Sequence, residues 1–408
     1  MSILAIAAHH AITVLIRAMS PVQSSSARSR QTQLICTICF LTVAAVSDPA
    51  AQESKPAEPT VIAANQAVRS QLPFDDRQDF EDATRGFIAT TADPSGPSRY
   101  AFLKGDAPST VNPSLWRQAQ LNVPNGLFKV VDRIYQVRGF SVSSMTIVES
   151  KTGVILIDTL ATAGAARAAL DLYFAHRPPK PVVAVIYTHS HGDHVGGISG
   201  VVSPADVTAG RTKVFGPAGF MDALVEEQAF AANLTARRGE FQFGGPLPIG
   251  DKGTVDYGEG KAVVVVPGGP GPIIAPTETV RSETRTIDGV QFVFHLALNA
   301  ESPAELIIYL PEFRALNVAE LATHTLHNLL PLRGAQVRDA KRWSRALSDA
   351  LVAFGADAQV LTDQHSWPVW DNQRVRATLA RFRDLYKYIH DQTLRMMNDG
   401  MGPAEIAA

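Results

Sequence analysis

Residues 182–187 form an unbroken apolar stretch that runs directly into Thr188-His189-Ser190-His191-Gly192-Asp193-His194-Val195-Gly196-Gly197. Three of the chain's eleven histidines fall within six residues here, with an aspartate among them. A short run rich in β-branched residues reads as a strand buried on both faces. The loop that follows it opens at the carboxyl edge of the sheet. Two imidazoles two positions apart on extended backbone point to the same side, so His189 and His191 can share one metal ion, while Asp193 and His194 can turn toward a second. Zinc accepts imidazole nitrogen and carboxylate oxygen, and catalytic zinc sites keep one position open for water. Gly192, Gly196 and Gly197 are expected to relieve crowding in a tight loop. Asp158, at the end of the apolar run 154–157, is expected to support the loop from behind.

The surrounding pattern sets the fold class. Runs at 126–131, 134–137, 145–149 and 154–157 read as strands joined by hairpins, with Lys151-Thr152-Gly153 as one turn. An Ala- and Leu-rich helix follows over 161–174 and is stopped by Pro178, Pro179 and Pro181. Further strands are expected at 292–298, 306–310, 314–318 and 358–361, and helices at 337–354 and from 372 onward. Hairpins first, then strand–helix–strand, imply an α/β fold of the αββα sandwich type rather than a doubly wound sheet. Residues 126–371 would form the catalytic domain, residues 52–125 a linker and N-terminal arm, and residues 372–408 a C-terminal helical extension.

The net charge is −2 and no long basic run stands out, so a nucleic-acid partner has no electrostatic support. Residues 1–51 read as a secretory signal peptide. Arg28 and Arg30 precede an apolar stretch at 34–46, and Ala50 and Ala51 suit a signal peptidase; Met19 offers an alternative start. The apolar stretch is short for a membrane span. The expected location is therefore periplasmic or secreted. The only two cysteines, Cys36 and Cys39, lie inside that segment and would leave with it.

Beyond the histidine loop, further chemistry-bearing motifs occur in order: Glu301-Ser302-Pro303-Ala304-Glu305; Ala319-Glu320 through Thr323-His324-Thr325-Leu326-His327-Asn328; Leu332-Arg333-Gly334 through Val337-Arg338-Asp339; and His365-Ser366-Trp367-Pro368. In this order and spacing the sequence resembles the alkylsulfatase branch of the metallo-β-lactamase superfamily, enzymes that hydrolyse dodecyl sulfate and related esters. The resemblance spans nearly all of the chain after the signal segment. It implies two Zn2+ ions, with His189, His191 and Glu301 on the first, Asp193, His194 and His365 on the second, and Glu320 between them. Asp193 and Glu320 carry the catalytic role. The resemblance also implies that Asn328 and Arg333 bind the sulfate of an alkyl sulfate substrate, with Arg338 a further candidate. It favours breakage of the carbon–oxygen bond and a homodimer formed through the C-terminal helices. Members of that branch continue past the point matched by residue 408, into a long dimerisation region and a sterol-carrier-like domain, and this sequence lacks most of both.

Two alternatives stand beside this reading. One is another hydrolase of the same superfamily acting on esters, thioesters or lactams; such enzymes usually complete the first site with histidine rather than with a residue like Glu301. The other is a non-catalytic metal-binding paralogue. Glu305, entering a strand, reads as structural, His324 and His327 as packing or pocket residues, and His295 as a core histidine.

Overall fold

The computed structural model describes residues 56–91 and 99–407. The signal segment and both cysteines lie outside the described residues.

Eight strands form one sheet in sequence order: β1 (Phe87–Ala89), β2 (Gly126–Val131), β3 (Ile134–Arg138), β4 (Met145–Glu149), β5 (Val154–Ile157), β6 (Val182–Ile186), β7 (Lys213–Pro217) and β8 (Glu278–Val280). Pairing is antiparallel as far as β5 and parallel from β5 to β8. The second sheet has six strands: β9 (Glu283–Ile287), β10 (Val290–Leu298), β11 (Ala304–Leu310), β12 (Ala315–Asn317), β13 (Val360–Thr362) and β14 (Val369–Trp370). It is antiparallel except where β12 and β13 run parallel.

The helices are α1 (Pro59–Gln71), α2 (Gln78–Thr84), α3 (Pro113–Leu121), α4 (Ala163–His176), three short turns α5 (Gly192–Val195), α6 (Ile198–Val201) and α7 (Pro204–Thr208), then α8 (Phe220–Leu224), α9 (Ala232–Phe243), α10 (Ala340–Phe354), α11 (Asn372–Asn398) and α12 (Pro403–Ala407). Between α8 and α9 lies one π-helical stretch, Val225–Phe230.

Strand periodicity sorts the apolar side chains into layers. Ile155 and Ile157 of β5 face inward to meet Leu306, Ile308 and Leu310 of β11 in the core between the sheets. The alternate residues Val154 and Leu156 face outward and pack under α4, through Ala165, Ala169, Leu172 and Tyr173. On the far side Ile307 and Tyr309 pack outward against α10 and α11, through Trp343, Leu347, Val375, Leu379 and Tyr386. The result is the αββα sandwich expected from the sequence, with the C-terminal helix α11 in place.

The expected strands end within two residues of the observed ones. The stretch 52–125, expected as linker and arm, contributes more than a covering. Its residues 87–89 form edge strand β1, paired with β2, and α3 packs through Trp116 and Ala119 on a small cluster with Tyr100, Val255 and Val263. Trp343, fully buried on α10, donates its indole N–H to the carbonyl of Leu321 at 2.9 Å. Helix packing thus grips the turn that carries Glu320.

Candidate metal centre

The parallel strands β5 and β6 of one sheet and β12 and β13 of the other end on the same edge of the sandwich. Asp158 follows β5, the histidine loop follows β6, Glu320 follows β12 and His365 follows β13, while Glu301 lies on the β10–β11 turn. The Leu306 amide donates to the Thr188 carbonyl at 2.9 Å, joining the two sheets at this edge. Local backbone fits the task. Gly197 is required, because a Cβ there would lie 1.9 Å from the Thr159 carbonyl oxygen, and one at Gly196 would lie 2.3 Å from that of Ala161. Gly192 does not share the role given to it above: its Cβ would meet nothing nearer than Gln228 at 3.7 Å. Ala319 sits at φ 50° immediately before Glu320, a left-handed conformation that costs a non-glycine residue about 1–3 kcal/mol and occurs most often at functional sites.

Two groups of potential ligand atoms converge. His189, His191, Glu301 and Glu320 form one, and Asp193, His194, Glu320 and His365 the other; within each group the ligand atoms lie within 4.8 Å of one another, and Glu320 belongs to both. Glu320 Oε1 stands 3.2 Å from His189 Nε2, 2.6 Å from His194 Nε2 and 2.9 Å from His365 Nε2. His191 Nδ1 lies 3.4 Å from Glu301 Oε2, and Asp193 Oδ2 lies 3.2 Å from His194 Nε2. All but Asp193 are buried.

The donor set fits divalent cations on a specific observation. Both carboxylate oxygens of Glu301, and His194 Nε2, are buried and make no hydrogen bond of regular geometry; their near neighbours are the Arg338 guanidinium for Glu301 and the Glu320 carboxylate for His194. Buried polar atoms are ordinarily satisfied. Lone pairs left facing one another in a dry pocket are what bound cations would complete.

Asp158 holds the loop from behind. It accepts from the Thr188 amide at 2.8 Å, the Thr188 hydroxyl at 2.7 Å and Gln364 Nε2 at 2.8 Å, and it pairs with His194 Nδ1 at 2.8 Å. That last contact leaves His194 Nε2 free to face the cluster.

The electrostatics are strongly perturbed, as dense clusters of titratable groups in functional sites tend to be. Burial opposes charge on Glu320, but His365 and His189 outweigh it and hold the carboxyl well below its usual range. Burial also opposes charge on His365, yet Glu320 drives it up to about 10. Glu305 goes the other way: burial, then the neighbouring Glu301, push its carboxyl well above normal. Glu305 is fully buried at the start of β11 and accepts the Glu320 amide at 3.1 Å, so it shapes the Glu320 turn.

A cavity of about 300 Å3 opens beside the clusters. His191, Asp193 and Glu320 line one side, Arg333 and Arg338 another, and Thr235, Ala236, Gly239 and Phe243 from a single face of α9 a third. The Arg333 guanidinium has no ion pair or side-chain hydrogen bond among the described residues. Arg338 is committed: its guanidinium contacts the Glu301 carboxylate, hydrogen-bonds the Asn328 side-chain oxygen, and donates to the Asn328 carbonyl at 2.8 Å. Asn328, held by Arg338, is not among the residues lining this cavity.

His327 lines the cavity, with Nε2 2.8 Å from Glu320 Oε2 and 3.0 Å from Glu259 Oε1. His324 instead stacks on Trp367, ring centres 4.0 Å apart, and half-buried His295 packs edge-on to Phe354. Sequence reading missed Glu259 and Glu227. Glu227 is buried with Oε2 3.3 Å from His191 Nε2, and although burial opposes its charge, His191 draws its carboxyl down to about 2.

The model of the metallo-beta-lactamase superfamily matches residues 138–360, which hold every residue of both clusters except His365. The chain belongs to the metallo-beta-lactamase superfamily. Among curated relatives of this superfamily member, an alkyl/aryl-sulfatase of Saccharomyces cerevisiae is 48% identical over 367 residues, covering 87% of this chain and 56% of the relative. A linear primary-alkylsulfatase of Pseudomonas sp. is 47% identical over 372 residues, 88% of this chain and 55% of the relative. Among solved structures, the stereoselective inverting sec-alkylsulfatase of Pseudomonas sp. superimposes with a TM-score of 0.82 at 46% identity, over 87% of this chain and 58% of that one. The chain thus spans just over half the length of the curated relatives it matches.

Proposed function

We propose that the chain hydrolyses alkyl sulfate esters to an alcohol and inorganic sulfate with two zinc ions, the first held by His189, His191 and Glu301, the second by Asp193, His194 and His365, with Glu320 on both. One observation carries the reading: glutamate-completed metal clusters share a cavity with the unpaired guanidinium of Arg333. When bound, such ions supply positive charge and lower the pKa of water toward neutrality.

The chain's own residues do the rest. Asp193 and Glu320 keep the centre anionic enough to retain two cations. Arg333 offers paired planar donors to the sulfate oxygens. Arg338 fixes Asn328 and neutralises part of the Glu301 charge, so the substrate anion meets less repulsion. The small residues of α9 leave room for the alkyl group. In the favoured course the water oxygen bonds to carbon, the carbon–oxygen bond breaks, and sulfate departs with the electron pair, stabilised by Arg333. Inversion, the property in the description of the related sec-alkylsulfatase, is what attack at carbon produces.

The location we propose is periplasmic or secreted, on the N-terminal sequence alone; among the described residues no helix is long and apolar enough to cross a membrane. We also propose pairing of two copies through α11, whose Tyr388, Leu394 and Met397 are exposed.

The test is release of inorganic sulfate from dodecyl sulfate by purified protein, with and without a chelator. Chelator-sensitive release is expected. No release from protein shown to hold two zinc ions would refute the sulfatase reading and leave the superfamily assignment untouched.

A further inference from the structure

The π-helical stretch Val225–Phe230 places neighbouring residues in opposite surroundings. Phe230 is 86% exposed, while Glu227 is 7% exposed and turned inward, and the next residue, Gln228, lines the cavity. A π-turn inserts one residue into a helix and is frequent at functional sites. Here it delivers a carboxylate to the outer side of a histidine. His191 Nδ1 faces the first cluster, 2.9 Å from His189 Nε2 and 3.4 Å from Glu301 Oε2. Its other nitrogen, Nε2, lies 3.3 Å from Glu227 Oε2. A neutral imidazole carries one proton, so a ring that presents the Nδ1 lone pair to a cation must carry its proton on Nε2, where a carboxylate can accept it. Among the described residues Glu227 forms no ion pair with lysine or arginine; its ion-pair contact is with His191, and Arg333 and Arg338 act on it only at longer range.

We propose that Glu227 is a positioning residue for the first metal cluster: it accepts the Nε2 proton of His191, fixes the tautomer and holds Nδ1 toward the ion. His194 receives the same service from Asp158, so each of these two histidines has its own carboxylate, one from the sheet edge and one from the π-turn. The inference rests on His191 being a metal ligand and not on the identity of the substrate.

The experiment is stepwise titration of the metal-free protein with Zn2+, paired with the visible spectrum after loading with Co2+, for the wild type, E227A and E227Q. Loss of such an outer carboxylate costs about 10–100-fold in metal affinity. E227A should lose that factor in one of two binding steps, with an altered Co2+ spectrum and an unchanged Tm for the metal-free protein. E227Q keeps the shape and a neutral acceptor, so it should lose less than tenfold, and it serves as the decisive variant should E227A fail to fold. Wild-type affinity in both steps for a folded variant overturns the proposal, as does an equal loss in both steps. A wild-type protein that binds no zinc overturns it together with the ligand assignment. Zinc binding without sulfate release would sink only the sulfatase reading.

Discussion

Asp158→Asn isolates a single charge behind the metal centre. Asp158 is fully buried at φ 58° and makes four polar contacts of 2.7–2.8 Å, with the Thr188 amide and hydroxyl, His194 and Gln364. Asparagine has the same shape and tolerates the left-handed backbone, so strain is not introduced. Its amide oxygen can still accept from Thr188, but its NH2 group must now face the Gln364 amide and the N–H of His194, donor against donor. Breaking a buried charged pair from one side costs about 3–5 kcal/mol. With an unfolding entropy of about 2.1 cal/mol/K per residue, the compact unit Pro56–Ala408 should lose about 1.4 °C per kcal/mol. The Tm of the metal-free variant should therefore fall by about 4–7 °C. His194 loses its fixed tautomer at the same time, so one of the two zinc-binding steps should weaken by about 10–100-fold. Differential scanning calorimetry in chelator reads the first quantity and Zn2+ titration the second. A metal-free Tm within about 1 °C of wild type, together with unchanged affinity, would refute the claim that this carboxylate holds the loop.

Arg333→Ala should leave zinc content intact and lower kcat/KM for alkyl sulfates by about 10–100-fold, the worth of charge-assisted hydrogen bonds of about 1.5–3 kcal/mol; loss of metal would show a structural role instead. Gly239→Leu fills a position on the α9 wall with no atom closer than 3.9 Å, so it should penalise branched secondary esters more than linear ones, and an unchanged ratio of kcat/KM values would refute α9 as the alkyl wall. Far from the metal centre, burial opposes charge on Glu149 but hydrogen bonds from Arg177 and Tyr173 outweigh it and lower its pKa. A depressed carboxylate stabilises the fold above its ordinary value of 4.5 and loses that contribution as pH falls through the lower folded value. Glu149→Gln should therefore be less stable than wild type at neutral pH, with the gap closing on acidification; a gap in Tm that stays constant from about pH 7 to pH 3 would contradict it.

The layered fold was legible because each buried element carries its own period. Val154, Ile155, Leu156 and Ile157 are all buried, as the unbroken apolar run requires, and their alternation between two cores follows from strand geometry alone. The helix 372–398 declared itself through Val375 and Leu379, which do pack on the outer core. The short strands at 87–89, 213–217 and 278–287 were not legible. The strands at 87–89, 213–217 and 278–280 pair with partners far away in sequence, 283–287 is an edge strand joined to β10 across Asp288-Gly289, and three to five residues hold too little pattern to outweigh turn signals around them. The same limit applies to α3, whose Trp116 and Ala119 are buried in part by Val255 and Val263, which come back across from a distant loop.

The site divides along a similar line. Residues within motifs were found because ligand chemistry restricts both type and spacing: three histidines and an aspartate in six residues have few innocent explanations. Glu227 and Glu259 carry no such restriction. Each is one glutamate in a polar stretch, and the first becomes informative only when a π-turn rotates it toward His191. Arg338 shows a subtler limit. Its type and position in the motif suggested a pocket residue, and it does line the cavity, yet the carboxylate of Glu301 claims its guanidinium first. A buried arginine seeks its strongest anion, and Asn328 follows it off the wall through the hydrogen bonds it accepts. Arg333, with no ion pair or side-chain hydrogen bond among the described residues, is left as the free donor. The division of labour between two arginines five residues apart is thus decided by where Glu301 stands. That residue's place is in turn fixed by the turn between β10 and β11, on the other sheet from the histidine loop.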